Sequence, residues 1–230
     1  MLRRAFRTFG LLTAVLLSYG LYEALIGAPT EQSMGEVQRI FYYHVSSAWT
    51  AFLLFAINFV ASVAYLIRRS VKADIIALVT AEVGVVFCTV VLVTGPLWAR
   101  PVWGIWWTWD VRLTSTLVLW LIYVSYLMLR RFSSSGETPL MAAVLAVFGA
   151  LDVPLVYFSI RFFRTQHPQP VIGGGGSIDP KMLQVVLINW AGFLCFAWLV
   201  CWSRYRLELL QREVEETEAL EALLHSGGAR

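Results

Sequence analysis

Six long apolar stretches decide what this chain can become. They run at about 8–27, 45–67, 74–97, 113–129, 140–160 and 182–202. Each is close to the ~20 residues that an α-helix needs to cross bilayer hydrocarbon. No water is available there to satisfy backbone N–H and C=O groups, so such segments fold as helices. The expected fold class is therefore all-α: a polytopic membrane protein with six transmembrane helices. Only 14% of the residues are charged, against roughly 25% in soluble domains. The net charge of +3 is small, and the basic residues follow topology rather than forming a nucleic-acid patch.

Orientation follows from the basic residues. Twelve of them fall on one side of the six spans, from Arg3, Arg4 and Arg7 through Arg68, Arg69, Lys72, Arg130 and Arg131 to Arg204, Arg206, Arg212 and Arg230. Six fall on the other: Arg39, Arg100, Arg112, Arg161, Arg164 and Lys181. The richer side is expected to be cytoplasmic, with both termini there. Three outer loops remain, at about 28–44, 98–112 and 161–181. The first apolar stretch has a basic start like a signal peptide, but its about 19 apolar residues exceed the roughly 7–15 of a signal core, so a retained helix is expected. A membrane domain over 1–203 is expected to be followed by a cytoplasmic amphipathic tail at 204–230. There Leu207, Leu210, Val214, Leu220, Leu223 and Leu224 recur among glutamates, a spacing that suits a helix. Gly173–Ser177 lacks the Gly-Lys-Ser/Thr ending of a P-loop and reads as a flexible hinge, leaving the chain without an ATP site. Cys88, Cys195 and Cys201 lie in apolar runs with no C-x-x-C spacing and read as small buried hydrophobes.

The middle outer loop carries the most information. Five of the ten tryptophans fall between Trp98 and Trp109, in the run Trp98-Ala-Arg-Pro-Val-Trp103-Gly-Ile-Trp106-Trp107-Thr-Trp109-Asp110-Val-Arg112. An interfacial belt of tryptophan is the ordinary alternative, but belts are scattered, and here the rings crowd one loop. Of three histidines, His225 lies in the tail, whereas His44 and His167 fall in the first and third outer loops. A flat aromatic shelf with a histidine on either side suits haem. Its iron takes imidazole, its faces stack on indole, and its propionates match the arginine fork. Arg112 is the first candidate for a propionate; Arg100, Arg39, Arg161 and Arg164 are weaker ones. Asp110 is placed to orient Arg112 or a histidine, or to cap the fourth helix.

The stretch Trp103-Gly-Ile-Trp-Trp-Thr-Trp-Asp-Val-Arg-Leu-Thr114 resembles the WWD motif of haem-handling membrane proteins, and within them the CcmC family of bacterial cytochrome c maturation. The likeness extends over nearly the whole chain: six helices, the lead-in Gly95-Pro96-Leu97-Trp98, His44 in Phe41-Tyr-Tyr-His-Val before the motif, and His167 after it. Two related branches, CcmF and the CcsA type, generally have more helices and further histidines. The resemblance implies a protein that is not an enzyme and sits in the bacterial inner membrane. It implies that haem b is held at the periplasmic face by His44 and His167 as axial ligands, with Trp98, Trp103, Trp106, Trp107, Trp109, Asp110 and Arg112 around it. It implies presentation of that haem to a membrane-anchored chaperone, CcmE, and association with the small subunit CcmD and the ABC transporter subunits CcmA and CcmB.

Charged groups at membrane depth are functional suspects. Glu82 and Asp152 are of this kind, with Asn58 and Asn189 as milder cases. Asp152 lies two residues before Pro154 and could mark a broken helix; an interhelical hydrogen bond is the plainer reading. A permease for haem or another organic anion, and a subunit whose aromatic loop only docks a partner, remain alternatives at this level.

Overall fold

The computed structural model describes residues 2–133, 135–167, 172 and 178–227. The expected hinge at 173–177 lies outside the described residues. Seven helices follow in order: α1 (Leu2–Tyr22), α2 (Ile40–Arg68), α3 (Val71–Trp103), α4 (Val111–Phe132), α5 (Thr138–Ala150), α6 (Asp152–Phe162) and α7 (Pro180–Gly227). A π-helical turn at Glu23–Gly27 extends α1, and a 3-10 turn at Glu36–Arg39 leads into α2. Six helical spans are long and apolar enough to cross a membrane, with α5 and α6 together forming the fifth.

That fifth span is broken at Leu151. Pro154 has no N–H to return to the Ala150 carbonyl, and its ring crowds that carbonyl. The last turn of α5 tightens accordingly, with Leu151 N–H donating to Phe148 O at 3.1 Å. The break places Asp152 at the start of α6, where its Oδ2 is buried with no hydrogen-bond partner among the described residues. The other three polar suspects do find partners on neighbouring helices. Asn58 Nδ2 donates to Ala77 O at 2.7 Å, Asn189 Nδ2 to Gly20 O at 3.1 Å, and Glu82 pairs with Arg204 at 2.8 and 2.9 Å.

Packing follows membrane rules, with close contact at small residues and polar side chains turned inward. Along α2, Ser46, Thr50, Asn58 and Ser62 are fully buried at spacings of four or eight, while Val60 and Ile67 face outward. At Gly84 on α3, a Cβ would stand 2.7 Å from the Phe55 ring, so any larger residue there would separate α2 from α3. Phe55 in turn stacks on Tyr123 of α4 at 3.9 Å. Gly149 allows α5 the same close approach to Ile122 of α4.

The two ends of the bundle differ. At one end, Asp74 on α3 receives Arg130 from α4 and Arg212 from α7. At the other, Lys181 of α7 pairs with Glu23 at 2.7 Å, and the starts of α2 and α4 meet the end of α3. His44 and the tryptophan run lie at this second end. Beyond Arg204, α7 continues without a break as a helix to Gly227.

Candidate functional site

His44 sits in the second turn of α2, which begins at Ile40, rather than in the loop before it. The helix starts earlier than the apolar run, because the 3-10 turn at Glu36–Arg39 leads directly into it. The Arg39 guanidinium donates to Ala24 O at 2.9 Å and pairs with Glu36. Arg39 is thereby tied to the first loop. His44 is only 8% exposed. Its Nδ1 lies 2.8 Å from the hydroxyl of Thr94 on α3. Gly95 leaves room beside the ring, where a Cβ would stand 3.6 Å from Cε1. Trp98, one helical turn on from Thr94, meets the imidazole edge-on at 5.9 Å and packs against Phe41 at 6.1 Å. No described residue makes a hydrogen bond to His44 Nε2.

The tryptophan loop is shorter than the expected 98–112. Helix α3 runs through Pro96 and Pro101 and ends only at Trp103, capped by Gly104 in the left-handed region at φ 76°. A proline removes one backbone N–H and ordinarily marks a boundary. Near a membrane surface the freed carbonyls can be satisfied by water or neighbouring groups, and the helix continues. Gly104 N–H closes the cap by donating to Arg100 O at 3.0 Å, and the Arg100 side chain binds Gly104 O. Trp98 and Trp103 therefore belong to α3, and Trp106, Trp107 and Trp109 to the loop. The rings do not form one continuous sheet. Trp107 meets Trp109 edge-on at 5.8 Å, whereas Trp106 and Trp109 are 56% and 76% exposed. The indole N–H groups of Trp98 and Trp107 are buried without a partner among the described residues.

Asp110 does two jobs. Its Oδ1 accepts from Leu113 N at 3.0 Å, capping α4, and its Oδ2 accepts from Thr108 at 3.1 Å and from the backbone N–H of Gln166 at 3.1 Å. The second contact holds the residue next to His167 against the tryptophan loop. His167 N–H donates to Thr165 Oγ1 at 2.9 Å. Arg112 spends one N–H on Val156 O of α6 at 3.1 Å, leaving others of its five donors. His167 also lines a cleft of about 400 Å³ with Arg161, Arg164 and Thr165.

The structure thus brings His44, His167, Trp98 and Arg112 to one end of the bundle, and Asp110 joins the two loops that surround them. Sequence reasoning missed Thr94, whose only signal was its place one turn before Trp98 on α3. Asp110→Ala is expected to lower stability by about 1 kcal/mol through loss of the cap and to loosen the His167 loop. Asp110→Asn keeps an accepting oxygen and should recover much of the cap. Thermal unfolding of both variants in detergent measures the difference.

This arrangement has relatives. Residues 1–220 match the family model for Heme exporter protein C. The chain is 34% identical over 213 residues to the Heme exporter protein C of Bradyrhizobium diazoefficiens, covering 91% of this chain and 81% of that protein. It is 31% identical over 216 residues to the protein of that name from Escherichia coli K12, covering 94% and 88%. It is 32% identical over 179 residues to a putative cytochrome c biosynthesis ccmC-like mitochondrial protein of Marchantia polymorpha, covering 77% and 76%. With six helices able to span a membrane and a match over nearly its whole length, this chain belongs to the Heme exporter protein C, or CcmC, family.

Proposed function

We propose that this chain binds haem b at the outer, periplasmic face of a bacterial cytoplasmic membrane and presents it to the membrane-anchored chaperone CcmE for c-type cytochrome maturation. The observation that carries this reading is His44: a buried imidazole with Nε2 unengaged among the described residues, edge-on to Trp98. Haem iron takes two such imidazoles, so the group supplies the coordination that these histidines can complete.

The surrounding residues suit the rest of haem. Trp98 offers an apolar ring next to the histidine, and Trp107 and Trp109 form a separate edge-on pair in the loop; indole faces of this kind suit a porphyrin. A buried N–H with no acceptor costs about 1–3 kcal/mol. The indole N–H groups of Trp98 and Trp107, without a partner among the described residues, would recover this cost against an acceptor such as a propionate, toward which Arg112 would add further donors. The exposed Trp106 and Trp109 lie where they would cover a ring edge or meet a partner. The asymmetric distribution of basic residues supports an outward-facing histidine end. The associated subunits in this reading are CcmD and the ABC transporter pair CcmA and CcmB, which would supply the ATP hydrolysis.

The test is co-isolation with tagged chaperone from cells that overproduce both. Wild-type protein is expected to yield chaperone carrying covalently attached haem, and the His44→Ala, His167→Ala double variant none. Normal loading in the double variant, together with loss of loading in Asp152→Asn, would reject presentation at the histidines and favour passage through the bundle.

A further inference from the structure

We infer that Thr94 is a positioning residue for haem: it fixes the tautomer and the orientation of the His44 ring so that Nε2 faces the iron. This rests on the proposed haem reading for its purpose, though the tautomer itself follows from proton accounting alone. The Thr94 hydroxyl has one proton. Its oxygen lies 2.6 Å from Val90 O and 3.4 Å from Val91 O, and a carbonyl can only accept. The proton is therefore given to Val90 O, one turn back on α3. What the hydroxyl turns toward His44 Nδ1, at 2.8 Å, is a lone pair. Nδ1 must then be the nitrogen that carries hydrogen, and in a neutral imidazole the other nitrogen is left with its lone pair free. A metal binds that nitrogen, and an N–H donated from the opposite side makes the ring a better ligand.

Packing supports the same orientation. Thr94 and Trp98 of α3 both meet the ring, the hydroxyl at Nδ1 and the indole edge-on, while Gly95 leaves space beside Cε1. A ring flipped about its long axis would put carbon against the Thr94 lone pair and lose the hydrogen bond. Because the hydroxyl is bonded to its own helix, its direction is set before any ligand arrives. Pre-organisation of this kind is what an orienting partner of a metal-bound histidine provides.

Two measurements test the assignment. In detergent-purified, haem-free protein with ¹⁵N-labelled histidine, the His167→Ala, His225→Ala double variant leaves His44 as the sole histidine. Its two-bond nitrogen–proton spectrum is expected to show a protonated Nδ1 and an unprotonated Nε2. A proton on Nε2 would overturn the proposal. In haem-loaded protein, Thr94→Val removes the acceptor at nearly constant volume. Haem retention is expected to fall about 10–100-fold and the midpoint potential to rise, since a less basic imidazole favours ferric iron less. Thr94→Ser should restore both. Wild-type retention and potential in Thr94→Val would equally overturn it. A wild-type protein that takes up no haem would instead reject the proposed function, and the nitrogen spectrum would still decide the role of Thr94.

Discussion

Replacement of His44 by alanine is expected to cut haem retention by about 100-fold or more, at or beyond the upper end of what loss of an orienting partner costs a metal site. The fold should tolerate the change. His44 is buried at the end of the bundle, and its side-chain hydrogen bond among the described residues goes to a hydroxyl that keeps its own bond to Val90 O. His167→Ala is expected to act differently. His167 is only half-buried and sits in a loop held through Gln166 to Asp110. Its loss should leave haem on His44 with one axial position open, giving a high-spin spectrum and weaker retention. The pair of variants thus separates the residue that anchors haem from the residue that completes its coordination. Equal and complete retention in both would contradict the assignment of either histidine.

The second large effect lies at the opposite end. Asp74 is 2% exposed and carries two guanidinium partners. Arg130 binds it through both nitrogens, with Nη2–Oδ2 at 2.9 Å, and Arg212 through one at 2.8 Å. Removing one member of a buried pair strands the remaining charge, which costs about 3–5 kcal/mol. Asp74→Ala strands the Arg130 guanidinium, whereas Arg212 is partly exposed and keeps Glu208 at 3.0 Å, so the lower part of that range is expected. The loss should also release α7 beyond Arg204, because Arg212 joins that extension to α3. Thermal unfolding in detergent and limited trypsin digestion measure the two consequences. An unchanged melting temperature with the α7 extension still protected would contradict this account of the cluster.

The six spans were legible because run length alone identifies them, whatever the details of packing. Their ends were less so, for identifiable reasons. The third apolar run stops at about 97, but α3 continues through Pro96 and Pro101 to Trp103, because near its end the helix forfeits little by losing two donors. Pro154 marked a real break, because there it frees a carbonyl in the middle of a span. Asp110 could be read as a cap from its position before an apolar run, and it is one. Its second contact, to Gln166, lies 56 residues away, and no local pattern announces it. The same holds for Thr94 and His44, 50 residues apart, and for Arg112 and Val156, 44 apart. Residue types at the site were visible in sequence. The contacts that orient them depend on which helix faces meet, and that is settled by glycines such as Gly84 and Gly149, where α2, α4 and α5 approach their neighbours.

In the proposed function, His44 and His167 hold one haem between them. This is tested most directly by the absorption spectrum of the detergent-purified wild-type protein, isolated from cells with ample haem and co-expressed chaperone, in the oxidised and dithionite-reduced states. The expected result is a Soret band with the sharp reduced α and β bands of a low-spin, six-coordinate haem, a spectrum that becomes high-spin in His167→Ala and vanishes in His44→Ala. A colourless wild-type protein, or a spectrum indifferent to both substitutions, would contradict it.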